Sequence, residues 1–78
     1  MSSDKKIKEE AIMKTLLYLK ESLKKAKAEQ KISSGCIVSL TDIFRIMTYD
    51  IAQIVEDGEI KQKIYKINSE IAKILKTI

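Results

Sequence analysis

The chain has no histidine, one cysteine and eleven carboxylates, and these set the chemistry open to it. Without an imidazole, proton transfer near neutral pH falls to a carboxylate or lysine with a strongly displaced pKa, and no sequence pattern marks such a group. Cys36 has no histidine to take its proton, so it is expected among the buried apolar residues, with an intersubunit or redox contact as the alternative. Glu56, Asp57 and Glu59 form a dense acidic cluster but lack the regular oxygen-ligand spacing of a calcium loop. They are expected to be a solvated helix end. One thiol and no imidazole leave too few ligands for a structural zinc, and a lone cysteine makes no disulfide. The expectation is a chain that is not an enzyme, with no catalytic residue, metal, cofactor or small-molecule substrate.

Lysine offers a different chemistry. Lys20, Lys24, Lys27 and Lys31 recur at spacings of four, three and four, and Lys61, Lys63, Lys66, Lys73 and Lys76 give a second basic surface. Such stripes can neutralise phosphates, yet they are also what solvated faces of a lysine-rich chain look like. Arg45 is the only arginine, the residue that most often reads guanine, which disfavours sequence-specific base contact. Non-specific nucleic-acid contact through Lys20, Lys24, Lys27, Lys31, Lys63, Lys66 and Lys73 is the second functional expectation. Leu40 to Gly58 can be set beside a helix-turn-helix with Thr48-Tyr49-Asp50 as the turn. The comparison weakens because bulky Phe44 stands where a small residue is needed, no glycine marks the turn, and the segment beyond is acidic.

The elements that must position these residues are helical. From about residue 4 to 31, Ile12, Leu16, Leu19, Leu23 and Ala26 alternate at spacings of four and three, widened by Ile7, Ala11 and Leu17. Ser2 or Ser3 can cap this helix, and Asp4, Glu9 and Glu10 precede Lys24, Lys25, Lys27 and Lys31 in the order its dipole favours. Periodicity stops in a loop over 32–40, where Ser33-Ser34-Gly35 ends the helix through a glycine free to take positive φ. Cys36-Ile37-Val38 is either a short extended piece or an early turn of the next helix. That second helix, about 41–57, is capped by Ser39 or Thr41 and carries Ile43, Phe44, Ile46, Met47, Ile51, Ala52, Ile54 and Val55. The stripe is too wide for one neighbour, which places this helix at the centre of the bundle. The series Leu40, Phe44, Met47, Ile51, Ile54 breaks at Gly58, a plausible stop. The third helix, about 59–77, has Ile60, Ile64, Ile67, Ile71, Ile74 and Ile78 as an all-isoleucine seam. Leu75, Ala72 and Tyr65 lie beside it. In coiled coils that composition favours more than two strands, so the helix wants several neighbours.

Length and composition bound the whole. A 78-residue chain forms one domain, 1–78, and at this size burial barely offsets chain entropy without a staple. A first helix of roughly 28 residues spans about 42 Å, longer than the roughly 30 Å diameter of a compact domain of this size. Residues 4–31 carry nine lysines against five acids, 32–59 one arginine against five acids, and 60–78 five lysines against one acid. An acidic middle segment favours packing in which it contacts both others. The longest apolar runs are two or three residues, far short of the roughly 20 that span a bilayer, and the apolar stripes carry no tryptophan. The start has no secretory signal, which with the lone thiol favours the cytoplasm.

The expected fold is all-α, a small bundle of three helices per chain completed by self-association. The expected function is an interaction or assembly module acting as a homo-oligomer, most simply a dimer. Ile60, Ile64, Ile67, Ile71, Ile74, Leu16, Leu19 and Leu23 are its expected oligomer interface, and another protein is expected as a further partner.

Overall fold

The computed structural model describes residues 2–74, with side chains from Asp4 onward, and shows three helices: α1 (Ser2–Ala28), α2 (Ser34–Ile54) and α3 (Gly58–Ile74). The capping expected of Ser2 or Ser3 and the Leu75, Lys76, Thr77 and Ile78 end of the third helix lie outside the described side chains. Glu9 near the start of α1 bonds the turn between α2 and α3, and Lys27 near its end bonds the carbonyl of Ile74. The helices therefore run up, down and up, with α1 and α3 parallel. The molecule is a rod, 44 × 17 × 16 Å with a radius of gyration of 13.4 Å. A compact chain of this length would have about 11–12 Å.

The isoleucine seam organises the packing. Ile60, Ile64, Ile67, Ile71 and Ile74 are all buried, against Leu16 of α1 and Ala52 and Val55 at the α2 end, with Met13, Phe44, Ile51 and Tyr65 closing the edges. This makes α3, not α2, the central helix, and α1 and α2 touch each other least. The acidic middle segment does contact both basic ones, α3 along its length and α1 more sparsely, including the Lys5–Glu56 pair.

The register of α2 also differs from the expected one. Its inward face is Ile37, Thr41, Phe44, Thr48, Ala52 and Val55, with Thr41 and Thr48 wholly buried. Their hydroxyls have no hydrogen-bond partner among the described residues. A polar residue is not an obvious core choice, but a short one is what bulky isoleucines require opposite them. The expected seam of Leu40, Phe44, Met47, Ile51 and Ile54 is therefore inward only in part: Phe44 and Ile51 pack against the core, whereas Met47 and Ile54 are exposed.

Helix boundaries follow from caps rather than glycines. Ser33 is the N-cap of α2, accepting a bond from the Cys36 N–H at 3.3 Å, so the helix begins well before Ser39 or Thr41. Cys36-Ile37-Val38 is its early turn, Gly35 lies inside it, and Cys36 is exposed rather than core. The helix then runs unbroken through Thr48-Tyr49-Asp50, which removes the helix-turn-helix comparison. Gly58 is not a stop but opens α3, whose first turn is capped by the Asp57 carboxylate accepting from Ile60 N–H at 3.0 Å.

Helix α1 ends without glycine. Gln30 takes φ 58°, while Lys31 N–H bonds the Ala26 carbonyl at 3.0 Å and Gln30 N–H bonds that of Lys27 at 3.1 Å. This is the paired-bond termination that glycine usually serves. A side chain in left-handed backbone is strained, so Gln30→Gly should stabilise the chain by about 0.5–1 kcal/mol. A urea midpoint raised at unchanged slope is the expected reading.

Candidate interaction face

Helix α2 has two apolar faces, and the chain covers one of them. On the other, Cys36, Leu40, Ile43, Met47, Ile51 and Ile54 recur at spacings of four, three, four, four and three. None is fully buried, and exposure reaches 49% at Ile43, 44% at Met47 and 73% at Ile54. Beside it on α1 runs a second series, Ile12, Thr15, Leu19, Ser22 and Ala26, at three, four, three and four. No charged residue stands on either series, in a chain that is 33% charged. Large contiguous apolar surface with a polar rim is uncommon on a monomer.

Between the two series lies an open trough of about 350 Å³, lined by Ala11, Ile12, Thr15, Leu16 and Leu19 of α1 and by Met47 and Ile51 of α2. It exists because α3 wedges the other side of the bundle and holds α1 and α2 apart. Thr15 adds no polarity to it: its hydroxyl donates to the Ala11 carbonyl at 2.9 Å, within its own helix. What the trough can do chemically is exclude water from another apolar surface. Among the described residues, no cluster of carboxylates and thiols is placed to hold a metal ion, and no helix is long and apolar enough to cross a membrane.

The residues expected at an oligomer interface lie elsewhere. Ile60, Ile64, Ile67, Ile71 and Ile74, with Leu16 and Leu23, are 0–5% exposed inside the chain's own core. A second chain could reach them only by opening the bundle. Of that set, Leu16 and Leu19 border the trough, Leu16 at its buried floor. The residues that sequence reasoning passed over are Ile12, Ile43, Met47 and Ile54. For the three on α2 the signal was the excess width of the second helix's stripe.

The lysines are also redistributed. Lys20 is only 8% exposed and forms a hydrogen-bonded ion pair with Glu70 of α3, with Glu21 at 3.3 Å. Lys27 is half-buried on the Ile74 carbonyl, Lys31 pairs with Glu29 at 3.0 Å, and Lys63 lies 3.6 Å from Glu59. Lys24 and Lys73 line one shallow hollow between α1 and α3, and Lys63 and Lys66 another, with the Lys20–Glu70 pair shared between them. This basic edge is on the opposite side of α1 from the uncharged series.

The Lys20–Glu70 pair gives a pH signature. The hydrogen bond from Lys20 holds the Glu70 carboxyl below the usual range against desolvation, and the bond to Glu70 raises Lys20 above 10.5. A lowered carboxyl contributes stability present above its unfolded pKa and lost as pH falls through the folded one. A raised ammonium contributes stability present below its unfolded pKa and lost as pH rises through the folded one. The pair should therefore support a plateau from about pH 5 to about pH 10. Because Glu70 is one-third exposed and Glu21 remains beside Lys20, Glu70→Gln should cost only about 1–2 kcal/mol on that plateau. Urea midpoints of the two proteins should converge on acidification, as the native carboxyl takes up its proton.

The acidic cluster is distributed among separate tasks. Glu56 is exposed and hydrogen-bonded to Lys5, which lowers its pKa, while Asp57 caps α3 and Glu59 faces Lys63. The backbone N–H groups of Glu56 and Asp57 donate to the two carboxylate oxygens of Glu9, at 2.9 and 3.0 Å.

Comparison with known proteins returns no match: no family model fits the sequence, and neither a curated protein nor a solved structure is similar to the chain.

Proposed function

We propose that this chain is a non-enzymatic helical interaction module, an adaptor, regulator or structural component that works by taking another helix onto the α1–α2 face. One observation carries the reading: two adjoining helical seams, uncharged over four turns or more, stand uncovered in a chain otherwise rich in charge. A groove between two helices with anchors at three- and four-residue spacing is the form in which helical segments are bound. The absence of histidine and the assignment of Glu56, Asp57 and Glu59 to a cap or ion pair favour binding over catalysis.

The test is affinity capture from the host with the native chain and with an Ile43→Lys, Met47→Lys chain, each with and without nuclease. Both positions are half exposed, so the variant should keep its helical circular dichroism. Protein partners retained by the native chain and lost from the variant, regardless of nuclease, are the expected result. Identical capture by both proteins would refute the reading.

The basic edge supports a second reading, contact with nucleic-acid backbone through Lys24, Lys63, Lys66 and Lys73. Its support is reduced by the internal roles of Lys20 and Lys27. If that edge works on phosphates, log K for duplex DNA should fall against log salt with a slope near −0.9 per neutralised phosphate, and a four-fold Lys→Gln variant should flatten it. Undetectable binding at low salt would remove this reading.

A further inference from the structure

The interaction-module reading leaves open what covers the α1–α2 face. We propose that the occupant is a second copy of this chain, related by a two-fold axis, with the outward ridge of each α2 seated in the trough of the other. The inference rests on that reading and adds the partner's identity.

Three observations point to the chain itself. The first is shape. The face carries a ridge, Ile43, Met47 and Ile54, directly beside a trough walled by Ile12 and Leu19. A surface that holds both the knob and the hole at neighbouring positions is self-complementary, and a two-fold rotation satisfies both copies at once. Both uncovered series also have helical spacing, so the occupant must offer a helix, and α2 is a helix with a whole face unused.

The second is charge. The lysines of α1 that line the basic edge lie on the far side of that helix, so the uncharged series offers a charged partner nothing to pair with. The chain itself offers an uncharged helical face of matching length, and two copies of that face are complementary in charge. The uncharged series form the centre of the interface, so no charge is buried.

The third is area. Helix α2 has 21 residues, hence about 30 Å, and the rod is 17 × 16 Å in cross-section. A face about 30 Å by about 17 Å covers roughly 500 Å² per copy, or about 1,000 Å² in all, at the lower bound for a specific interface. That size fits a dimer that exchanges with monomer rather than a permanent one. It also gives a short chain without disulfide or metal a source of added stability.

The experiment is sedimentation equilibrium of the 78-residue chain from low to high micromolar concentration, beside Ile43→Lys/Met47→Lys, Ile54→Lys and Lys66→Ala variants. Native protein and Lys66→Ala should pass from 8.9 kDa to twice that mass as concentration rises. The double variant should stay monomeric, its dissociation constant raised at least about a hundredfold by two like charges forced into a dry contact. Ile54→Lys replaces a side chain 73% exposed, so loss of folding cannot account for its effect; it too should weaken the dimer, at unchanged helix content. Native chain that stays monomeric at high micromolar concentration, or variants that dimerise as well as the native protein, would overturn the proposal. A monomer whose face still captures a different protein would overturn the second copy while leaving the interaction module intact. A monomer whose face affects no capture would remove both.

Discussion

Ile64→Asp should abolish folding, with circular dichroism showing the loss of helix in dilute buffer at neutral pH. Ile64 is wholly buried at the middle of the seam, between α1 and α2. Truncating a buried isoleucine alone costs about 2–5 kcal/mol. The aspartate must in addition be buried as an unpaired charge or protonated at a cost, because the described residues of the core cluster around it are all apolar. A domain of this length has a total stability of about 4–12 kcal/mol, so the sum removes most or all of it. Lys66→Ala, two positions along and exposed, should change stability by no more than about 0.5 kcal/mol. The contrast separates the internal seam from the outward face of α2, where Ile43→Lys and Met47→Lys are expected to leave the fold standing. An Ile64→Asp chain with native helix content and a cooperative transition would show that α3 does not hold the bundle together.

Glu9→Ala should be the next most damaging of the substitutions considered, at about 2–4 kcal/mol. The residue is 7% exposed, and its carboxylate accepts both backbone N–H groups that the α2–α3 turn leaves without helical partners, at 2.9 and 3.0 Å. Removing it leaves two part-buried donors without this acceptor, each costing about 1–2 kcal/mol. It also takes a negative charge from the positive end of α3. Glu9→Gln keeps one acceptor oxygen and should cost about half as much. Urea unfolding at neutral pH measures both values. Equal effects of the two variants would show that the contact acts through charge alone, and no effect would show that the turn is held by other groups. The nearby Lys5–Glu56 pair is solvent-exposed and should contribute little.

Much of this architecture was legible in the chain. Alternating four- and three-residue spacing gave three helices, and the third helix's isoleucines marked a face that must be buried. The glycines misled. Gly35 and Gly58 stand near breaks, but α1 ends at Gln30 in left-handed backbone, α2 ends at Val55, and the Ser33 and Asp57 caps start α2 and α3. A glycine permits a turn without requiring one, whereas a cap is identified by the bond it makes. The α2 register was hidden for a related reason. Met47 and Ile54 look more core-like than Thr41 and Thr48, yet it is the two threonines that lie wholly buried against the isoleucines.

By itself the sequence determined the helical class, because local periodicity and the lack of proline act within single segments. It also determined that α2 holds more apolar surface than one neighbour can cover, since that is a count of residues around a helix. Only the tertiary structure decided which face α2 turns inward and that α3 is the middle helix. It likewise decided that Lys20 belongs to Glu70 rather than to solvent. These are choices among alternative pairings of amphipathic faces, and they depend on the fit of side chains fifty residues apart. The uncovered α1–α2 face is the remainder of that choice: three helices bury the seam from Ile60 to Ile74, and the second face of α2 is left uncovered.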